Sequence, residues 1–406
     1  MMVLEAGRMT VGAEPRERKA PGVGFDAVLV TATAALASLG VVLVYSASSV
    51  FAAKVYGDAE HFLVQQAAWT AVGIAALFLA ARVPTERLAR FAPWLLVATM
   101  VLCAAVLVPG VGKLVNGATR RLVVGPVGFQ PSELCKLAVV LAFARVLARR
   151  DQKPEHDRAS LLPPVLMLQA PVLLILVEPD LGTALVIELI VAVMVFAAGV
   201  RLRTIALLGL AALPILYHLV VGTPFRLQRL LSYIDPWAYR STVGYQITES
   251  LISIGSGGAL GVGLGSGKHK LFFLPEAHTD FIFSILGEEL GLIGVVLVLL
   301  AFGAFVWRGL RIAARARNAY ESYLALGLTA LVGVPALFNA GVATGLLPTK
   351  GLSLPFVSYG GSNLVVTFVA VGMLLRIAGE QGGGARAATH PKSAGPTREH
   401  AAEGAA

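Results

Sequence analysis

The sequence predicts an all-α polytopic membrane protein with about ten transmembrane helices, both termini cytoplasmic and one large extracytoplasmic loop. Three observations predict it. Of 406 residues, 56% are hydrophobic and only 14% are charged, against about 25% charged in an ordinary soluble domain. The apolar residues gather in ten runs, each near the ~20 residues that cross the hydrocarbon as a helix. The 33 Lys and Arg residues fall mostly on one side of those runs, as basic loops do on the cytoplasmic face.

Taken in order, the runs cover roughly 26–50, 62–82, 91–109, 131–148, 161–177, 181–200, 203–222, 279–306, 322–346 and 355–376. The first is too long for the apolar core of a signal peptide, and no small-residue cleavage site follows it. The fourth is the weakest, because Glu133 and Lys136 interrupt its first turns. Only Glu178-Pro179-Asp180 separates the fifth from the sixth, which makes a tight hairpin at one face. With the N-terminus inside, 22 basic residues lie in inner segments and 10 in outer ones, Lys136 lying within a span. The net charge of +9 is therefore mostly topology. It forms no single patch that would suit a nucleic acid. Cys103 and Cys135 lie in apolar stretches without metal-ligand spacing, and read as core residues with no disulfide. Residues 1–24 and 380–406, rich in charge with Gly, Pro or Ala, read as disordered cytoplasmic tails. They flank a membrane domain over 25–379, whose large outer loop covers 223–278.

Three outer segments hold the polar matter. The first is Asn116 to Arg121, running on to Gln130-Pro131-Ser132-Glu133. The second is the long loop, with Gly261 to Gly267 and then Leu274-Pro275-Glu276-Ala277-His278-Thr279-Asp280. The third is Pro348-Thr349-Lys350-Gly351, followed by Ser358-Tyr359-Gly360-Gly361-Ser362. Ionisable groups at membrane depth are costly, so each needs a partner or a task. Glu133 and Lys136 share a helix face at i,i+3. Either they neutralise each other, or Lys136 reaches into a polar cavity to meet an anionic group. Glu188 sits mid-span with no evident partner, and either lines a cavity or bonds to a neighbour. Asp280 opens the eighth span, where a carboxylate caps a helix or meets the positive end of its dipole. On that helix Glu289 falls nearly opposite Asp280 and Glu288 about 80° away, so a paired-carboxylate glycosidase centre is excluded there. The glycine run at 261–267 is a weak nucleotide signal. It is external and lacks the strand–helix unit with a following acidic residue. A loop turn is the better reading, although its N–H groups could hold a phosphate.

At these outer segments the sequence resembles the SEDS family (shape, elongation, division and sporulation) over roughly residues 25–380. The resemblance rests on Phe273 to Phe283 with Gly287-Glu288-Glu289-Leu290-Gly291, on Gln130-Pro131-Ser132-Glu133 with Lys136, on Glu178 to Thr183, and on Leu354 to Ser362. Leu347-Pro348-Thr349-Lys350-Gly351 is closer to the division branch of the family than to the elongation branch. Two departures stand out. Arg121 occupies a position where members usually carry Trp, and Glu249 one where they often carry Gln.

The resemblance implies a peptidoglycan glycan-strand polymerase that uses lipid II in a bacterial inner membrane, at the division septum. It also implies a class B penicillin-binding protein as the crosslinking partner, with other divisome membrane proteins. The essential carboxylate falls on Asp280, as general base or as holder of a divalent cation, magnesium or manganese. No outer acidic set defines metal ligands, and no nucleotide is expected. Asn116, Arg120, Glu133, Lys136, Glu276, His278, Thr279, Lys350, Ser358, Tyr359 and Ser362 are the candidate substrate contacts. Of these, Arg120, Lys136 and Lys350 suit the diphosphate. Two rivals come from other classes: a lipid II transporter, and a scaffold that activates the transpeptidase without chemistry of its own. Only the polymerase requires one outer carboxylate.

Overall fold

The computed structural model describes residues 26–115, 118–125, 127–151, 162–271 and 273–388. The tail expected over 1–24, most of the one expected over 380–406, and Asn116 lie outside the described residues. Helices α1 (Ala27–Tyr56), α2 (His61–Arg82) and α3 (Thr85–Val106) lead into three short strands, β1 (Gly112–Val115), β2 (Ala118–Val124) and β3 (Val127–Phe129). There follow α4 (Pro131–Asp151), α5 (Leu162–Met167), α6 (Gln169–Val177), α7 (Leu181–Ala197), α8 (Leu202–Val221), α9 (Pro224–Ile234) and α10 (Tyr245–Gly257). The chain ends in α11 (Ile282–Ala314), α12 (Ala319–Ala343) and α13 (Gly361–Ala388).

Among the described residues, α1, α2, α3, α11, α12 and α13 are long and apolar enough to cross a membrane. Shorter apolar helices occupy Val165–Val177, Leu181–Ala197 and Leu202–His218. Helix α4 is innermost, buried along almost its whole length from Pro131 to Ala148, and it packs on α3, α7 and α12. A helix apolar on all sides belongs in such a place. The outer helices turn large apolar side chains away from the protein, among them Leu79, Trp94 and Leu297. Those are lipid-facing positions. Where helices meet closely, glycine makes room: Gly73 lies under Phe368, Gly361 against Trp69 and Gly372 against the Leu77 carbonyl, all between α2 and α13. Small residues allow backbones to approach in lipid, where apolar burial alone drives no association.

The fold is not purely helical. β1, β2 and β3 form an antiparallel sheet in the α3–α4 connection, with Lys113 opposite Arg121 and Leu122 opposite Phe129. The Leu122-Val123-Val124 run suits a strand, and Gly125, at φ +62, turns it into β3. The large outer loop is not a loop throughout, since α9 and α10 lie within it. α9 follows Thr223 with Pro224 in its first turn, a common helix start. The fifth run divides into α5 and α6 at Leu168. Helix α13 continues through Ala388 into the expected tail. Glu380 pairs with Arg376 at 2.7 Å, and the Gln381 amide donates to the Ile312 carbonyl at 2.8 Å, so polar residues hold this end against α11.

The eighth run departs most. α11 starts at Ile282, and Gly291 breaks it with φ +64 and ψ −165, a conformation open essentially to glycine alone. The glycine-rich stretch repairs the break. Val262 and Gly263 donate to the Glu288 and Glu289 carbonyls at 3.0 and 3.1 Å. Leu292 and Ile293 donate back to Gly258 and Ala259 at 2.9 and 3.2 Å. The Val262 and Gly263 N–H groups are thus spent on α11, and Gly261 donates to Gly257. The first part of the stretch is a structural patch on α11.

Below the patch two charges are secured. Glu289 accepts from Lys270 at 2.7 Å and from the Ser46 hydroxyl at 2.6 Å. Glu288 meets His269 at 3.0 Å and accepts from Ser253 at 3.1 Å. Glu188, for which the sequence offers no partner, has Gln169 for a polar neighbour. Cys103 and Cys135 are buried and free.

Candidate active site

The turn before α11 carries the central carboxylate. The Glu276 carbonyl accepts the N–H groups of Thr279, Asp280 and Phe281 at 3.1, 3.1 and 3.3 Å. Its carboxylate accepts the Thr279 hydroxyl at 2.9 Å. Glu276 itself adopts φ +56 to close the turn. Asp280 therefore does not cap the helix. Phe281 occupies the cap position without a side-chain bond, and its carbonyl accepts the Ser284 and Ile285 N–H groups at 3.0 and 3.4 Å. The Asp280 side chain is left to other work.

Two distant segments pin the turn. The Asn339 amide, on α12, donates to the Asp280 carbonyl at 2.8 Å and to the Leu352 carbonyl at 2.6 Å. The Ser358 hydroxyl donates to the Thr279 carbonyl and accepts the Leu354 N–H at 2.8 Å. Tyr359 donates its N–H to the His278 carbonyl at 2.9 Å. Thr279 and Ser358 are thus bonded in the frame of the turn. The His278 ring packs among Phe62, Tyr359 and Phe51, with centroids 4.7, 5.8 and 6.0 Å away. The Tyr359 hydroxyl donates to Gln65.

The Asp280 carboxylate lies against Gly351, where an added Cβ would overlap Oδ2. This position puts Lys350 beside it in sequence. Burial, then Glu276, raise the Asp280 pKa to about 7, against the opposing pull of Arg229, Arg120 and Arg121. A carboxyl poised there exchanges a proton near neutrality. Burial first, then Arg229 and Arg226, lower Lys350 to about 8, opposed by Asp180. Burial lowers His278, with Glu276 opposing.

Arg120, on β2, reaches the hairpin between α6 and α7. It donates to the carbonyls of Glu178 and Pro179 at 3.3 and 2.7 Å and approaches Asp180 at 3.9 Å. Asp180 caps α7 by accepting from Thr183 at 3.1 Å. Ser362 accepts the Gln130 N–H at 3.0 Å, joining the start of α4 to α13. Glu133 and Lys136 form a buried pair at 2.8 Å. Lys136 is enclosed, with its side chain 5% exposed. Glu249 adds no lone charge, since Arg240 meets it at 3.2 Å. Arg121 is exposed, and its charge reaches Asp280 and Tyr359.

The structure thus gathers Asp280, Glu276, Arg120 and Lys350. It sets Lys136 apart in its own ion pair. The sequence reading missed Arg226, Arg229, Gly351 and Asn339. Asn339 could have been found as a lone polar residue inside an apolar run. Arg226, Arg229 and Tyr233 could have been read as one helix face from their spacing. Among the described residues no three His, Cys, Asp or Glu side chains converge as metal ligands.

A family model described as "Cell cycle protein", named for FtsW, RodA and SpoVE, matches residues 27–382. A probable peptidoglycan glycosyltransferase FtsW of Geobacter sulfurreducens is 43% identical over 353 residues, covering 87% of this chain and 95% of that one. The probable FtsW of Coxiella burnetii is 40% identical over 359 residues, covering 88% and 96%. Among solved structures, one described as "Structural coordination of polymerization and crosslinking by a peptidoglycan synthase complex" matches with a TM-score of 0.73 and 32% identity, over 88% of this chain and 98% of that one. The Thermus thermophilus rod shape determining protein RodA matches with a TM-score of 0.65 and 32% identity, over 87% and 96%. With sequence and fold in agreement, the chain belongs to the FtsW, RodA and SpoVE family of cell cycle proteins.

Proposed function

We propose that this protein polymerises peptidoglycan glycan strands from lipid II during septal wall synthesis, with Asp280 as the base. The observation that carries the reading is a single carboxyl at the mouth of the bundle. It lies against Gly351, and burial and its neighbour Glu276 raise it to about 7 against the pull of Arg229, Arg120 and Arg121. The FtsW relatives named as peptidoglycan glycosyltransferases support it.

The reaction joins two lipid-linked disaccharides. The 4-hydroxyl oxygen of one attacks the anomeric carbon of the other, and its proton passes to the Asp280 carboxylate. The bond from that carbon to the diphosphate oxygen breaks, and undecaprenyl diphosphate leaves with the electron pair. Positive charge must meet the leaving diphosphate, and Arg120 and Lys350 are placed to supply it. The pinned turn supplies rigidity: Glu276, Asn339 and Ser358 fix the backbone from which Asp280 projects. Asp280 and its acidic neighbour Glu276 are the residues that would hold a divalent cation here. When bound, that cation would add charge against the diphosphate.

The same reading sets α1, α2, α3, α4, α5 with α6, α7, α8, α11, α12 and α13 as ten crossings. The ends are cytoplasmic, and α9, α10 and the sheet lie outside, as the Lys and Arg distribution favours. A class B penicillin-binding protein is the partner, a reading supported by the likeness to a synthase complex of polymerisation and crosslinking.

The test is polymerisation of labelled lipid II by the purified protein with its cognate transpeptidase. Wild type is compared with Asp280→Asn, with folding checked by thermal shift. Polymer from wild type and a loss of ~100-fold or more in the folded mutant is expected. Equal turnover would remove Asp280 from the chemistry. Lipid II movement across vesicles without polymer from either protein would make it a transporter.

A further inference from the structure

The stretch between α9 and α10 is folded into a ledge. Asp235 accepts the Ala238 N–H at 3.1 Å, and the Tyr239 carbonyl accepts the Thr242 and Gly244 N–H groups at 3.0 Å each. Gly244 lets the turn close, since a Cβ there would meet the Pro236 and Tyr239 carbonyls at 2.7 and 2.8 Å. α10 is fixed as firmly. The Ser250 hydroxyl lies 2.5 Å from that of Ser284 on α11 and donates to the Ala343 carbonyl on α12 at 2.7 Å. Ledge and helix bound an open cavity of about 650 Å³, lined by Trp237, Arg240, Ser241, Tyr245, Glu249 and Phe273.

The lining combines two chemistries. Trp237 and Phe273 are 56% and 53% exposed, although neither lies on a helix long and apolar enough to face lipid across a membrane. Glu249, by contrast, is buried. Arg240 meets its carboxylate at 3.2 Å and lies over the Trp237 ring at 5.9 Å. The two charges cancel, so an anionic ligand meets no surplus positive charge here. An acyl chain or an apolar peptide would seal the ion pair from water at a cost. A neutral ligand with apolar faces and a rim of hydrogen-bonding groups satisfies both halves. A pyranose is such a ligand. Its ring C–H groups stack on aromatic faces, and its hydroxyl and N-acetyl groups bond to a carboxylate and a guanidinium. The size also suits, since small-ligand cavities run from ~300 to ~1,000 Å³.

We propose that this cavity is a saccharide site that holds the β-1,4-linked, N-acetylated glycan strand on the outer face. The source of the strand rests on the polymerase reading, whereas the site itself is defined by three aromatic rings and one ion pair. Sugar rings stack on Trp237, Tyr245 and Phe273, and Arg240 and Glu249 bond to their substituents. Phe273 and Asp280 stand at opposite ends of one short segment, so the hold on the strand and the carboxylate that extends it share a single stretch of chain. A strand gripped here stays attached while its reacting end is released and re-engaged. The cavity therefore favours repeated addition to one strand over the starting of new ones.

The test measures binding before turnover. The purified full-length protein in lipid nanodiscs is titrated with the β-1,4-linked N-acetylglucosamine tetrasaccharide, and binding is read by saturation-transfer NMR on the sugar. Wild type should bind it and should ignore the α-linked glucose tetrasaccharide. Trp237→Leu keeps apolar bulk without a ring and should weaken binding about fivefold or more, as should Phe273→Leu, while Trp237→Phe keeps part of it. Glu249→Ala should lose binding that Glu249→Gln retains. Strands made from lipid II by the two leucine variants, compared at equal lipid II consumed, should be shorter than those of wild type. Equal binding by Trp237→Leu overturns the site, and so does equal binding of the α-linked sugar. Quenching of Trp237 fluorescence by brominated lipid, unrelieved by the saccharide, overturns it too and makes the rings a membrane-interface anchor. If Glu249→Ala fails to fold, the exposed Trp237 and Phe273 decide the matter by the same titration. Saccharide binding through these rings in a protein that never polymerises lipid II would keep the site and sink the polymerase reading. Polymer without any saccharide binding would do the reverse.

Discussion

Asp280 can take a proton only while it is ionised. Burial and Glu276 hold its pKa at about 7, so the ionised share climbs as pH rises through neutrality. Lys350 works in the opposite sense. It must be charged to meet a diphosphate, and burial with the neighbouring arginines lowers it to about 8. Polymerisation measured as kcat/KM from about pH 5.5 to 9.5 should therefore trace a bell, rising near 7 and falling near 8. Lys350→Arg should abolish the falling limb and leave the rising one in place, since a guanidinium stays charged throughout. A flat profile would exclude both groups. Much of this site is written in the chain, because Asp280, Arg120 and Lys350 sit in recognisable polar segments. The duties of Glu276, Thr279 and Ser358 are not. Apart from the bond between the Thr279 hydroxyl and the Glu276 carboxylate, their bonds involve main-chain atoms, and in the case of Ser358 the partner is 79 residues away. Gly351 was equally hidden, because its role is the space it leaves for a carboxylate.

At the scale of elements, the break in α11 has the sharpest consequence. Gly291 holds a backbone conformation that other residues reach at about 1–3 kcal/mol, and a Cβ there would overlap the Gly261 N–H and the Ala259 carbonyl. Gly291→Ala should lower the thermal midpoint clearly. Gly303→Ala on the same helix, where an added Cβ meets nothing within 4 Å, should be neutral or raise it slightly. Equal midpoints for both variants would show that the break carries no structural weight. Hydropathy could not reveal the break, because it averages over a run and Gly291 is one residue in a long apolar helix. The sheet was missed for a related reason. Ten apolar runs dominate the pattern, and the Asn116-Gly117 dipeptide, a strong hairpin signal, was read for its polarity instead. The helical spacing in α9 is hard to see because its basic residues also carry the topology signal.

For the whole molecule, the architecture was legible because lipid enforces it: a spanning segment must be apolar, long and internally hydrogen-bonded. The order in which the helices pack was not legible, since it depends on glycine contacts such as Gly372 on Leu77 and on polar ties such as Arg308 to Asp26 at 2.6 Å. The sidedness inferred from charge has a direct check. Cys103 and Cys135 are buried, so single introduced cysteines can be labelled against a quiet background. In intact cells an impermeant maleimide should label Ser241→Cys in the outer loop and spare Ala314→Cys at the inner end of α11. Disrupted membranes should show both labelled. The reverse pattern would invert the protein and place Asp280 in the cytoplasm.

The patch between the glycine stretch and α11 also bears on how this chain can vary over evolutionary time. Its four cross-bonds run from peptide group to peptide group, and no replacement short of proline removes the N–H groups that make them. Val262, Leu292 and Ile293 are therefore free to drift among apolar types without unfastening the seam. Gly261 and Gly291 have no such latitude, since any Cβ collides with the facing strand of backbone. Variation in this region should look lopsided: permissive at Val262, Leu292 and Ile293, and almost frozen at the glycines, Gly261 and Gly291 above all, that contribute no side chain.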